Sequence, residues 1–172
     1  SPRLIDRARR PTFAVMSDST ARPSSVPWPP ILLVGLVAAS LMLGRWWPLG
    51  WPGLDDRPAR VVGLGLGVIG ILLAIWAIFT LIRARTTVRP DAGASALVTW
   101  GPYARLRNPI YVADVLLLLG AAELTKTIWF VILAVPFVLL VTWLAILPEE
   151  RHLEARFGEA WRAYRERSRR WL

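Results

Sequence analysis

Apolar residues along this chain gather into four blocks, separated by short stretches rich in arginine, proline and glycine. Residues 31–47, entered after Trp28-Pro29-Pro30, and residues 61–82 are each near the roughly 20 residues that cross a bilayer core as helix. Residues 110–124 are fewer, and at about 1.5 Å per residue they fall short of a core near ~30 Å. Residues 128–147 form a fourth, full-length block, with Pro136 expected to kink it. Pro148-Glu149-Glu150 is then expected to end the membrane part. Beyond it, Leu153, Phe157, Trp161 and Tyr164 recur at helical spacing among charged residues. That pattern predicts a single amphipathic helix lying in the membrane interface. The expectation is an all-α integral membrane protein with about four transmembrane helices plus this C-terminal amphipathic interfacial helix. Residues 1–30 lack an apolar period and read as a mobile arm, and residues 31–172 as a single domain.

Composition sharpens the membrane reading. Hydrophobic residues make up 55% of the chain and there are ten tryptophans. Trp46, Trp47, Trp51, Trp100, Trp129 and Trp143 sit near the ends of apolar blocks, where membrane proteins place amphipathic rings. The formal net charge of +9 comes from arginines flanking those blocks, which suits anionic headgroups better than nucleic acid. Most of the basic residues lie in the arm, in residues 83–108 and beyond residue 148. The positive-inside rule therefore predicts both termini in the cytoplasm, at the inner membrane if the source is bacterial. No cysteine is present and His152 is the single histidine, so no metal site is expected. Met16 is a plausible alternative start, and the basic arm with its apolar successor lacks the small-residue pattern of a cleavable signal.

Two motifs need weighing. Gly65-Leu66-Gly67-Val68-Ile69-Gly70 has the form of a dinucleotide loop, but no strand precedes it and it lies within an apolar block. Gly63 and Gly67 instead form a small-xxx-small pair that lets two helices approach closely. The segment 99–113 is richer in chemistry. Gly101-Pro102 interrupts regular structure, and Asn108-Pro109 reads as an N-cap and first helical residue. In the helix that follows, Arg107, Tyr111 and Asp114 fall on one side, beside a helix N-terminus that favours anions. Asp114 inside an apolar block marks a functional position. Glu149 and Glu150 follow Pro148 and can be read simply as acidic residues in a helix's first turn.

The ordered set Gly101-Pro102-Tyr103, Arg107-Asn108-Pro109-Ile110-Tyr111, Glu149-Glu150, Phe157-Gly158 and Tyr164 resembles the isoprenylcysteine carboxyl methyltransferase and phospholipid methyltransferase superfamily. The resemblance covers about residues 97–172. Asn108 stands where that pattern carries histidine and Ala113 where it carries glycine; asparagine can cap and donate but holds no titrating proton. The resemblance implies transfer of a methyl group from S-adenosylmethionine to an amphiphilic or lipid-linked acceptor, carboxylate or amine, at the cytoplasmic membrane face. It implies Gly101, Pro102, Tyr103, Arg107, Asn108, Pro109, Tyr111, Glu149 and Glu150 as cofactor-binding residues. Arg107, Asp114 and Glu150 are implied as catalytic. Arg107 could take the cofactor's carboxylate, Glu149 or Glu150 its ammonium or ribose, and Tyr103 or Tyr111 its adenine. Membrane lipids and a hydrophobic acceptor are the expected partners. The competing readings are a nicotinamide-dependent membrane reductase and a non-catalytic membrane packing protein.

Overall fold

The computed structural model describes residues 27–51, 57–86 and 96–172; the expected mobile arm lies outside these, apart from its last residues. Among the described residues the regular elements are all helical, apart from one isolated bridge between Leu106 and Arg169. Helix α1 runs Trp28–Trp46 and α2 Arg57–Arg83. A 3-10 turn at Gly101–Ala104 leads into α3, Pro109–Thr125. Helix α4, Trp129–Val141, passes through a π turn at Thr142–Ile146 into α5, Leu147–Phe157, and α6 is Glu159–Arg167. Among the described residues, three helices are long and apolar enough to cross a membrane: α1, α2 and the continuous Trp129–Phe157 helix. Helix α3, at 17 residues, is the short fourth member that its apolar block anticipated. The expected kinking proline, Pro136, sits inside α4.

The membrane helices pack side by side, α2 on α3, α3 on α4 and α4 on α1. Small residues set the closest of these approaches. A Cβ on Gly67 would lie 3.1 Å from the Gly120 Cα, and one on Gly70 would lie 2.9 Å from the Ala113 carbonyl. Gly65 has nothing within 4 Å. The glycine run is therefore a packing seam, with Gly67 and Gly70 touching α3 and Gly65 turned away. At the other side, Phe130, Phe137, Val141 and Ile146 form the core with Tyr111 and Leu118, covered by Leu33 and Val37 of α1.

Two expectations are corrected. Pro148 does not open a separate helix, as the first-turn reading of Glu149 and Glu150 requires, because the turn before the proline is rewound. Proline has no N–H to offer the carbonyl four residues back, and Leu147 N–H instead bonds the Thr142 carbonyl in an i to i+5 turn. Helical structure thereby continues to Phe157. Glu149 and Glu150 consequently do not sit in the first turn of a free helix end, so complementing a helix dipole does not explain them. The second correction concerns the amphipathic segment. Gly158, at φ +50°, breaks it into α5 and α6. The apolar side of α6 faces the protein: Trp161 and Tyr164 are buried, their rings 5.7 Å apart.

Candidate functional site: a polar knot at the start of helix α3

The site is built where the C-terminal end of α2, the 3-10 turn, the start of α3, α5 and α6 meet. Gly101, at φ +63°, lets the chain turn against α2, where its missing Cβ would lie 2.9 Å from the Thr80 hydroxyl. That turn buries Pro102 and Tyr103, with Tyr103 packed on Ala77 and Val98. From α6, the Tyr164 hydroxyl donates to the Tyr103 carbonyl at 2.7 Å, and the Ser168 hydroxyl donates to the Tyr164 carbonyl at 2.6 Å. Burial pushes the Tyr164 phenol up to about 12, against the opposing pull of the Ser168 side chain on the phenol and of the Arg107 and Arg167 charges. Burial, with Glu149 and Tyr164 adding to it, raises Tyr103 well above the ordinary phenol range. Both therefore remain protonated at neutral pH.

The segment after α6 is stitched to residues 105–108 by main chain and side chain together. Arg107 N–H donates to the Arg169 carbonyl (2.7 Å), and Arg169 N–H to the Arg105 carbonyl (2.8 Å). Arg107 Nη1 donates to the carbonyls of Arg165 and Ser168, both at 2.9 Å, while its Nε donates to Glu150 Oε1 at 3.2 Å. Arg170 grips the same carboxylate with two donors, Nε to Oε1 at 3.0 Å and Nη2 to Oε2 at 2.6 Å. Arg107 and Glu150 are nearly closed off, with side chains 10% and 13% exposed. Buried charges persist when paired and hydrogen-bonded, and Glu150 meets both conditions.

Asn108 departs from its sequence reading. It occupies the position before α3 but makes no side-chain capping bond. Its Nδ2 donates to the Arg170 carbonyl at 3.0 Å. Arg107 likewise stands before the helix and pairs with Glu150, so Asp114 does not receive it as a partner.

A second group of side chains is left over. Glu149, one residue from Glu150 and so about 100° around the helix, makes no hydrogen bond or ion pair among the described residues, and neither does Asp114. Glu149 is close enough to act electrostatically on both Tyr103 and Tyr111, and Asp114 acts on Tyr111. The residues named from sequence thus separate into two sets. Arg107, Asn108 and Glu150 tie the chain together. Tyr103, Tyr111, Asp114 and Glu149 form a neighbouring set with two carboxylates unengaged, while Gly101, Pro102 and Pro109 shape the backbone between them. Sequence reasoning gave no role to Ser168 or Arg170, and named Tyr164 without its partner, because these roles depend on long-range pairing across 20 to 61 residues.

The fold is that of a helical membrane protein with a polar knot at the start of a short helix, and its family follows from comparison. Residues 58–160 match the phospholipid methyltransferase family, and the chain belongs to it. The match takes in α2, which the sequence motifs alone did not reach. The chain is also 32% identical over 134 residues to the cobalt-zinc-cadmium resistance protein CzcN of Cupriavidus metallidurans, covering 74% of this chain and 55% of that relative. This chain thus spans about half the length of the curated relative it matches. No solved structure matches it.

Proposed function

We propose that this protein transfers a methyl group from S-adenosylmethionine to an amine on an amphiphilic or lipid-linked acceptor, at the cytoplasmic face of the membrane. The observation that carries this reading is the pair of unengaged carboxylates, Asp114 and Glu149, beside Tyr103 and Tyr111 in a chain of the phospholipid methyltransferase family. An unpaired carboxylate next to apolar helices is costly, and such groups mark sites of function. The donor set fits the cofactor: the Glu149 carboxylate suits its ammonium or ribose hydroxyls, and two phenol rings suit a cationic centre or a flat base. S-adenosylmethionine, when bound, supplies a methyl group on a positively charged sulfur.

The chain's own residues then have separable jobs. Glu149 holds positive charge or hydroxyls through charge-assisted hydrogen bonds. Tyr103 and Tyr111, protonated, donate hydrogen bonds and exclude water with their rings. Asp114 accepts the proton that an ammonium acceptor must lose before its nitrogen can attack. Arg107 and Glu150 neutralise one another and fix the frame. The unengaged groups in this set are carboxyls and none is cationic, which favours an amine acceptor over a carboxylate. The short α3 sets the polar start of the helix near headgroup depth, and the arginine distribution favours a cytoplasmic placement of this end.

Thermal shift of the detergent-purified protein tests the reading, comparing S-adenosylmethionine with NADPH. A concentration-dependent rise with S-adenosylmethionine alone is expected. A rise with NADPH alone would support a reductase, and no rise with either would support a packing protein. Acceptors with a long hydrocarbon tail should be methylated far better than water-soluble amines at matched free concentration.

A further inference from the structure

Arg170 follows helix α6, in the basic stretch beyond residue 148. In the structure it meets three elements at once. Its guanidinium holds Glu150 of α5 with two donors, its carbonyl accepts from Asn108 at the start of α3, and it follows Arg169, whose main chain bridges to Arg105 and Arg107. Exposed ion pairs contribute little, and the Arg170 side chain is 37% exposed. Its partner is not exposed, however, and a forked guanidinium–carboxylate pair fixes orientation as well as distance.

The placement of Glu150 gives this grip a consequence for its neighbour. Glu149 and Glu150 leave α5 in different directions, one toward Tyr103 and Tyr111, the other toward Arg107 and Arg170. Whatever fixes the rotation of α5 at Glu150 fixes where Glu149 is presented. Asn108 is joined directly to Pro109, so holding it also fixes where α3 starts and where Tyr111 stands one turn later.

We propose that Arg170 is a positioning residue, clamping Glu150 with its side chain and Asn108 with its carbonyl so that Glu149, Tyr103 and Tyr111 stay together as one binding set. This rests on the methyltransferase reading above, and the cofactor is therefore only one of two readouts. The first readout needs no ligand: hydrogen exchange at the Arg107 and Arg169 amides, which close the bridge between the two segments. The second is the affinity for S-adenosylmethionine, by titration calorimetry in detergent.

In R170Q both amides should exchange at least tenfold faster than in wild type, and affinity should fall by about tenfold. E150Q should behave alike, and combining it with R170Q should add little, because both remove the same clamp. R170K keeps the charge without the fork and should fall between; it carries the test if R170Q proves too unstable to purify. R162Q, on the outer side of α6, should change neither readout. Unchanged exchange in R170Q would overturn the clamp. Faster exchange with unchanged affinity would overturn the positioning role and leave Arg170 structural. Tighter binding in R170Q would also overturn it, showing that the C-terminal segment competes with the cofactor. No binding to wild type would overturn the methyltransferase reading and the positioning role with it, irrespective of the exchange result.

Discussion

The two ends of helix α3 both carry carboxylates among apolar helices, and they handle them in opposite ways. Near its C-terminal end, Glu123 is 6% exposed and pairs with Lys126 one turn on. Lys126 adopts a left-handed backbone conformation at φ 54° that closes the helix, and its ammonium lies 5.6 Å from the centre of the Trp51 ring. Glu123 also fills the space that Gly63 leaves, where a Cβ would lie 2.6 Å from its Cγ. That carboxylate is neutralised and packed within the fold. Near the N-terminal end, Asp114 has no such partner among the described residues, and Glu149, which like Asp114 acts on Tyr111, has none there either. A paired buried charge is accounted for by structure, whereas an unpaired one retains a cost that structure does not offset. The contrast separates a helix-closing device from a candidate reaction site on the same helix.

The largest expected effect lies at Asp114. If it takes the proton from the acceptor, Asp114→Asn should lower methyl transfer by about a hundredfold or more. The same change removes an unpaired carboxylate, so the melting temperature should stay level or rise. Steady-state kinetics and a melting curve on one preparation check both halves. A fall in stability with activity intact would reverse the contrast.

Glu123 should respond the other way. Glu123→Gln removes the buried half of the ion pair with Lys126 and should cost about 1–3 kcal/mol of stability, between the surface and buried limits for ion pairs. Activity per folded molecule should be unchanged. Denaturant titration in mixed micelles, with activity measured alongside, would show it.

The seam between α2 and α3 offers a comparably sized structural effect. Gly120→Ala places a Cβ 2.5 Å from the Gly67 Cα, so the two backbones must separate, at about 1–3 kcal/mol. Gly65→Ala meets nothing and should be neutral or stabilising by up to ~1 kcal/mol. Equal costs at the two positions would contradict the seam. A loss of nucleotide binding in Gly65→Ala would instead revive the dinucleotide reading of the glycine run.

The smallest expected effect is at Asn108. Had it been a cap, aspartate would serve as well. Its observed bond is a donation to the Arg170 carbonyl, which aspartate cannot make. Asn108→Asp and Asn108→Ala should therefore both lose about 1 kcal/mol, visible as matching shifts in the unfolding midpoint.

These outcomes mark what the sequence makes readable. The four apolar blocks became α1 to α4 because block length and hydropathy decide membrane helices directly. The short third block and the packing of Gly67 were legible for the same reason. Pro148 misled because proline favours the first turn of a helix, whereas the π turn ahead of it let the preceding helix run on. Trp161 and Tyr164 showed a helical stripe, but no spacing rule tells whether such a stripe meets lipid or the protein's own 3-10 turn. Glu149 and Glu150 were visible as a pair. Which one is gripped by arginines depends on contacts from residues 107 and 170, and those contacts exist only once the chain has folded.

The central claim is that Glu149, the unengaged carboxylate, faces the cofactor, while Glu123 serves the fold. Titration calorimetry of S-adenosylmethionine into wild type, Glu149→Gln and Glu123→Gln tests it most directly. Losing a charge-assisted hydrogen bond should weaken binding to Glu149→Gln by about 1.5–3 kcal/mol, or more than tenfold, and leave Glu123→Gln at the wild-type affinity. Wild-type affinity in Glu149→Gln, or an equal loss in both variants, would contradict the account.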